Sequence, residues 1–151
     1  MIYRAIVKRK ARGIFADLSR GDWKATTADI AEDVHHVFPG DNALGGERHS
    51  REAMERWFER LYRLIPEIEF EVHEVAVRGW PWDTAVAIEW TDRGRGADGT
   101  AYENEGGHWI RLRWGKAVSI HAYLDTEKVS GLLASIAASG VDEAAAAPVG
   151  G

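Results

Sequence analysis

The sequence predicts an α+β domain in which a strongly curved antiparallel sheet wraps against N-terminal helices. Helical periodicity dominates the chain up to Pro66, interrupted by one strand and a loop, a period of two dominates from there to Asp125, and the alternation slips phase near Glu74. A slip of that kind marks a bulge, and bulges bend sheets. Helices gathered first and strands after them argue against the regular alternation that builds a parallel α/β sheet.

The elements follow in order. From Ile2 to about Arg20, Val7, Ala11, Ile14, Phe15 and Leu18 recur at helical spacing, and Gly21-Asp22 supplies the stop. Asp22 caps a second short helix reaching about Ala31, and Val34 to Phe38 reads as a strand ended by Pro39-Gly40. A Gly-rich loop runs from 39 to 50. Ser50 then takes an N-cap position, and Met54, Trp57, Phe58, Leu61, Leu64 and Ile65 form a wide apolar stripe on a third helix that stops before Pro66. Strands are expected around Ile68 to Val77, Thr84 to Thr91, Ala101 to Arg113 and Lys116 to Asp125, an antiparallel meander. Thr126 caps a last helix carrying Val129, Leu132, Leu133 and Ile136. Residues 1–138 thus make one domain, and 139–151, ending in Ala144 to Gly151, read as a disordered low-complexity tail.

Composition narrows the function. A formal charge of −5 and an isoelectric point near 5.7 argue against nucleic acid, which wants a basic surface. With no cysteine there are no disulfides or thiolate sites, which fits a reducing compartment, and the chain is read as cytoplasmic. No run of about eighteen apolar residues could span a bilayer, so no membrane partner is expected. The basic cluster Arg4, Lys8, Arg9, Lys10 and Arg12 reads as the solvated face of the first helix. Gly94, Gly96 and Gly99 lack a phosphate-loop pattern, no histidine set has a recognised metal spacing, and no cofactor is expected.

The last hairpin carries the candidate chemistry. If Trp114-Gly115 is a two-residue turn, Arg113 faces Lys116, and counting outward sets His108 opposite His121, Gly106 opposite Tyr123 and Asn104 opposite Asp125 on one face. The other face carries Val118, Ile120, Ala122 and Leu124, which a simple inside/outside rule makes the core and so turns the polar face to solvent.

Gly21-Asp22-Trp23, His36-Val37-Phe38-Pro39-Gly40, and Gly115-Lys116 followed by Tyr123-Leu124-Asp125-Thr126 stand in the order and spacing of the nuclear-transport-factor-2-like superfamily. Over residues 5–138 the chain most resembles its SnoaL-like branch of polyketide cyclases, related to ketosteroid isomerases and limonene-epoxide hydrolases. The resemblance implies a conical sheet around a deep pocket, with the Tyr-x-Asp aspartate, Asp125, pointing into it. It also implies a homodimer, joined through the Val118, Ile120, Ala122, Leu124 face. On that reading His35 and Asn104 line the pocket beside Asp125, and Arg93 falls near an arginine of the epoxide hydrolases. Trp57, Phe58 and Tyr62 of the third helix read first as core, with Trp57 the ligand-binding candidate among them, closing the pocket.

The remaining epoxide-hydrolase roles fall on Arg95, His35 and Val37, and the ketosteroid-isomerase roles on Ile14 and Phe38, none of the required type. The cyclase chemistry fits better. Asp125 would move a proton with His108 or His121 beside it, and Tyr123 or Asn104 would donate to the developing oxyanion. The expectation is therefore a small-molecule pocket protein doing cofactor-free acid/base chemistry, with non-catalytic ligand binding as the alternative.

Overall fold

The computed structural model describes residues 2–151. In chain order it comprises α1 (Ile2–Ser19), α2 (Lys24–Thr27), β1 (Ile30–Phe38), β2 (Gly46–Arg48), α3 (Arg51–Leu64), β3 (Glu69–Trp80), β4 (Asp83–Arg95), β5 (Ala101–Arg113), β6 (Lys116–Leu124), α4 (Thr126–Ala138) and a 3-10 turn, Asp142–Ala145. The six strands form one curved, unclosed sheet in the order β2-β1-β6-β5-β4-β3. Strands β3 to β6 are the expected antiparallel meander, while β1 joins β6 in parallel.

The curvature has local causes. The β3–β4 register shifts between Val72 and Glu74, at the predicted slip. In mid-sheet, a Cβ on Gly106 would lie 2.3 Å from Tyr123 O, and one on Gly107 would lie 2.5 Å from Ile88 O, so only glycine lets the backbones come this close. Helices α1 and α3 cover the concave side. Val7, Phe15 and Leu18 of α1 and the whole predicted stripe of α3 are buried, and Ser50 Oγ caps α3 by accepting from Ala53 N.

Four local expectations are corrected. Helix α2 is a single turn, so β1 begins at Ile30 rather than Val34. The loop after Pro39 contains β2, whose Arg48 is wholly buried and donates to His36 Nδ1 and to the carbonyls of Gly45 and Gly46. Asp125, not Thr126, caps α4, accepting from Glu127 N and Lys128 N. Residues 142–151, expected to be disordered, lie against β2 and α3. There Arg48, Arg56 and Arg60 donate to the carbonyls of Val149, Gly150 and Ala147, and Arg63 forms a two-point ion pair with Glu143. Low complexity hid this because most of the contacts are made by the segment's backbone carbonyls, with Glu143 adding a paired side chain.

Candidate functional site

The sheet's concave rows and the two helices enclose a cavity of about 270 Å³. Strand β4 contributes Val86, Ile88, Trp90 and Asp92, successive residues of one face; β5 contributes Tyr102, His108, Ile110 and Leu112. Phe15, Phe70 and Trp90 meet edge to face at 5.3–5.4 Å and build much of the wall. Ile6, the Lys10–Asp29 ion pair (3.0 Å) and Gly115 are exposed or half-exposed and mark the mouth. The wall is overwhelmingly apolar, and its polar groups fall into two sets.

The first set is Asp92 with Tyr102. Asp92 is buried, Tyr102 Oη donates to its Oδ2 at a long 3.5 Å, and its Oδ1 has no hydrogen-bond partner among the described residues. Burial disfavours the anion and pushes the carboxyl up to about 7, against smaller downward effects from its own backbone amide and Tyr102. Asn104 stands behind Tyr102: its Nδ2 donates to Tyr102 Oη (3.1 Å) and to Asp125 O (2.9 Å). With a lone pair of the phenol taken by Asn104, the phenol's own proton is directed towards Asp92 or a ligand.

The second set is His36 and His108. His36 Nδ1 accepts from Arg48 Nε, and His108 Nδ1 accepts from Trp90 Nε1, each at 2.9 Å. A neutral ring that accepts at Nδ1 carries its proton on Nε2, so each offers a donor to a cavity ligand. Burial holds both neutral: it lowers His108 to about 4 and His36 well below its ordinary value, with Arg48 and His108 lowering His36 further. Ile88 faces His108 and Asp92 faces Asn104, so four residues of β4 separate the two sets, about 13 Å along the strand. Trp90 lies between them.

The structure brings together only two of the expected site residues, His108 and Trp57, whose Nε1 donates to Leu44 O in the cavity wall. The others lie elsewhere, chiefly because of one bulge. Trp114 (φ 51°) and Gly115 (φ 80°) do form the two-residue turn, and Arg113 and Leu112 pair as counted with Lys116 and Ala117. Val118 is then an extra residue, after which Arg111 pairs with Ser119, Trp109 with His121 and His108 with Ala122. A slip of one residue exchanges the faces of a strand. Ile120 and Ala122 therefore turn inward and are buried, so they cannot form the outward dimer face expected of them. His121 and Tyr123 turn outward, their rings stacked at 4.2 Å. Asp125 lies past the end of β6 as the exposed cap of α4 and does not line the cavity.

Asn104 is buried and supports Tyr102 without lining the cavity. Arg93 is on the outer face between Glu71 and Glu103. In β1 the inward residue is His36 and not His35, since His36 shares its phase with Ile30 and Phe38, which also line the cavity. His35 instead stacks on His49 at 4.8 Å, with Glu47 3.2 Å away. These three place ligand-type atoms within 4.8 Å of one another, yet rings lying face to face aim their nitrogens along parallel planes rather than at a common ion. The missed residues are Asp92, Tyr102 and His36. The signal for Asp92 was its phase, a carboxylate continuing the row Val86, Ile88, Trp90.

Comparison with known proteins bears on the fold. The model of the SnoaL-like domain matches residues 11–120. The chain belongs to the SnoaL-like domain family. It is similar in structure to a nuclear-transport-factor-2-like protein of unknown function from Burkholderia pseudomallei, with 20% identity, 83% of this chain and 95% of that one covered, and a TM-score of 0.71. A candidate polyketide cyclase from Xanthomonas campestris gives 22% identity, coverage of 82% and 93%, and a TM-score of 0.66. A candidate hydroxylase from Streptomyces galilaeus, AclR, gives 17%, 89% and 98%, and 0.68. No curated protein sequence matches the chain. At these identities the SnoaL-like relatives establish the fold and leave the chemistry to the site.

Proposed function

We propose that this SnoaL-like chain is a cofactor-free acid/base enzyme of the cyclase or isomerase type, acting on a small, largely apolar, oxygenated molecule. The observation that carries the reading is Asp92: a carboxyl at the cavity wall, half ionised near neutrality, with one oxygen unpartnered. A base poised near the working pH is suited to removing a carbon-bound proton and returning it. Tyr102, oriented by Asn104, donates to the enolate oxygen that develops beside it, and burial, which pushes its own ionisation up, keeps the phenol protonated. His36 and His108 bind a second oxygen of the substrate through their Nε2 protons. The apolar wall between the sets selects a hydrocarbon or aromatic middle.

The experiment is paired. Turnover of a panel of cyclisable polyketides, enones and epoxides is measured beside equilibrium binding, for wild type and Asp92→Asn. The reading expects turnover that the substitution removes while binding persists. Binding without turnover in the wild type, altered only in affinity by the substitution, would instead make this a ligand carrier.

We further propose a homodimer through the outer sheet face. Trp109 and the stacked His121–Tyr123 pair stand exposed there beside a groove floored by Ala76, Ala87, Gly106 and Gly107. Light scattering should give twice the 16.8 kDa chain mass, and Tyr123→Glu should shift it to the monomer.

A further inference from the structure

Among the described residues seven large apolar side chains stand exposed, and five of them belong to one end of the molecule: Ile2, Ile6, Trp80, Trp82 and Trp114, each between 53% and 80% exposed. Hydrogen bonds tie their segments together. Tyr3 Oη of α1 meets Thr84 Oγ1, which also donates to Trp80 O in the β3–β4 turn. Trp114 N of the β5–β6 turn donates to Pro81 O at 2.7 Å. The rings of Trp80 and Trp82 stack at 6.0 Å, and Trp114 lies 6.2 Å from Trp82. The first turns of α1 and two hairpin tips thus present one apolar surface. It adjoins the cavity mouth, since Tyr3, Ile6 and Gly115 line the cavity.

Such an exposed set exceeds what isolated surface apolar residues explain. The charge around it indicates what it meets. Helix α1 has five bases and no acid before Asp17, in a chain whose net charge is −5. Exposed Arg4, Lys8, Arg9, Arg78 and Arg113 have no carboxylate partner among the described residues. The nearby acids are engaged, Asp29 with Lys10 and Asp83 with Arg111. Tryptophan and aliphatic side chains flanked by unpaired bases match a bilayer interface, where indole rings sit at headgroup depth and cations meet anionic lipid.

We propose that this end of the molecule docks on an anionic lipid surface, with Trp82, Trp114, Ile2 and Ile6 entering the headgroup layer and the cavity mouth facing the bilayer. It replaces the plain solvated-face reading of the basic cluster; the chain lies on the surface, and among the described residues no helix is long and apolar enough to cross it. It stands independently of turnover at Asp92.

The test is flotation of the full chain with phosphatidylcholine vesicles, with and without phosphatidylglycerol, in low and high salt. Partition onto the anionic vesicles should exceed that onto the neutral ones by about tenfold or more and should fall as salt rises. The double variant Trp82→Ser/Trp114→Asn should lose about tenfold in partition while keeping its far-ultraviolet spectrum and melting temperature. Asparagine tolerates the positive φ of position 114. The triple variant Arg4→Gln/Lys8→Gln/Arg9→Gln should lose the anionic preference alone. No partition onto either vesicle, or partition indifferent to the double variant, overturns the proposal. So does a concentration-dependent dimer, or binding of an oligosaccharide, that the double variant abolishes while vesicles go unbound.

Discussion

Asp92 and Asn104 face each other directly across β4 and β5, yet their side chains share no hydrogen bond. Both amide hydrogens of Asn104 are taken, by Tyr102 and by the Asp125 carbonyl, and its Oδ1 accepts from Glu105 N, so the amide that could have held Asp92 Oδ1 holds the phenol instead. The carboxyl is left with a free oxygen at the cavity and an elevated pKa, while its neighbour is fixed as a donor. A purely structural aspartate would be expected to have its partners supplied.

Asp92→Asn should therefore preserve the fold and lower turnover by about 100-fold or more, the scale for losing a general base. The wild-type rate should rise with pH through about 7, as Asp92 ionises, and this limb should vanish in the variant. Tyr102→Phe removes a hydrogen bond that lowers the Asp92 pKa, so the limb should move to higher pH. A pH–rate profile of the three proteins checks all of this. A limb that stays put in Asp92→Asn belongs to another group.

The same groups set the stability profile. Asp92 is raised from 3.8 to about 7, so its contribution is full below the lower value and is lost as pH rises through 7. The loss is on the order of 4 kcal/mol for about three pKa units. His108 is lowered from 6.5 to about 4, so its contribution is present above 6.5 and is lost as pH falls through 4. Between pH 4 and 6.5 the two slopes oppose each other. Asp92→Asn should make stability rise more steeply with pH across that window, whereas His108→Gln should flatten the profile, leaving His36, which burial also holds below its ordinary value, as the histidine that opposes Asp92. Urea unfolding at half-unit pH steps measures both.

How much of this the sequence displayed depended on how local the cause was. The α3 stripe, the Ser50 cap, the bulge near Glu74 and the Trp114-Gly115 turn are set by neighbours in the chain, and periodicity shows them. The site was not local. Its rows were assigned by counting from one turn, and a single extra residue at Val118 exchanged the polar and apolar faces of β6 beyond it. On β1 the family's phase pointed to His35, whereas the strand's own alternation with Ile30 and Phe38 sets His36 inward. The motif resemblance gave the fold correctly, but it drew attention to Asp125, while Asp92 sat unremarked beside the motif-matched Arg93.

Asp125 provides the contrasting variant. As the cap of α4 it satisfies two helix N–H groups, so Asp125→Ala should cost about 0.5–2 kcal/mol of stability. It reaches neither the cavity nor Asp92, and turnover under folding conditions should be unchanged. A rate loss as large as that of Asp92→Asn, at equal stability, would return the catalytic role to Asp125.

The docked segment 142–151 gives the last prediction. Arg48 has no exposed surface and, among the described residues, no carboxylate partner; burial and Arg60 lower its pKa to about 10, and it is held by His36 and by carbonyls that include Val149 O. Removing residues 142–151 strips one acceptor from a buried cation, uncovers it, and loses the buried Ala144. A hydrogen bond to a charged group is worth about 1.5–3 kcal/mol, so the truncation should cost roughly 3 kcal/mol, about 6–12 °C in Tm for a domain of this size. In an Arg48→Met background no buried charge is left to be uncovered, and the same truncation should cost appreciably less. Arg48 also supports His36 Nδ1, so the truncated chain should weaken ligand binding more than it slows turnover. Calorimetry of the four proteins closes the cycle. An unchanged Tm on truncation would mean that the segment is as loosely held as its composition suggests.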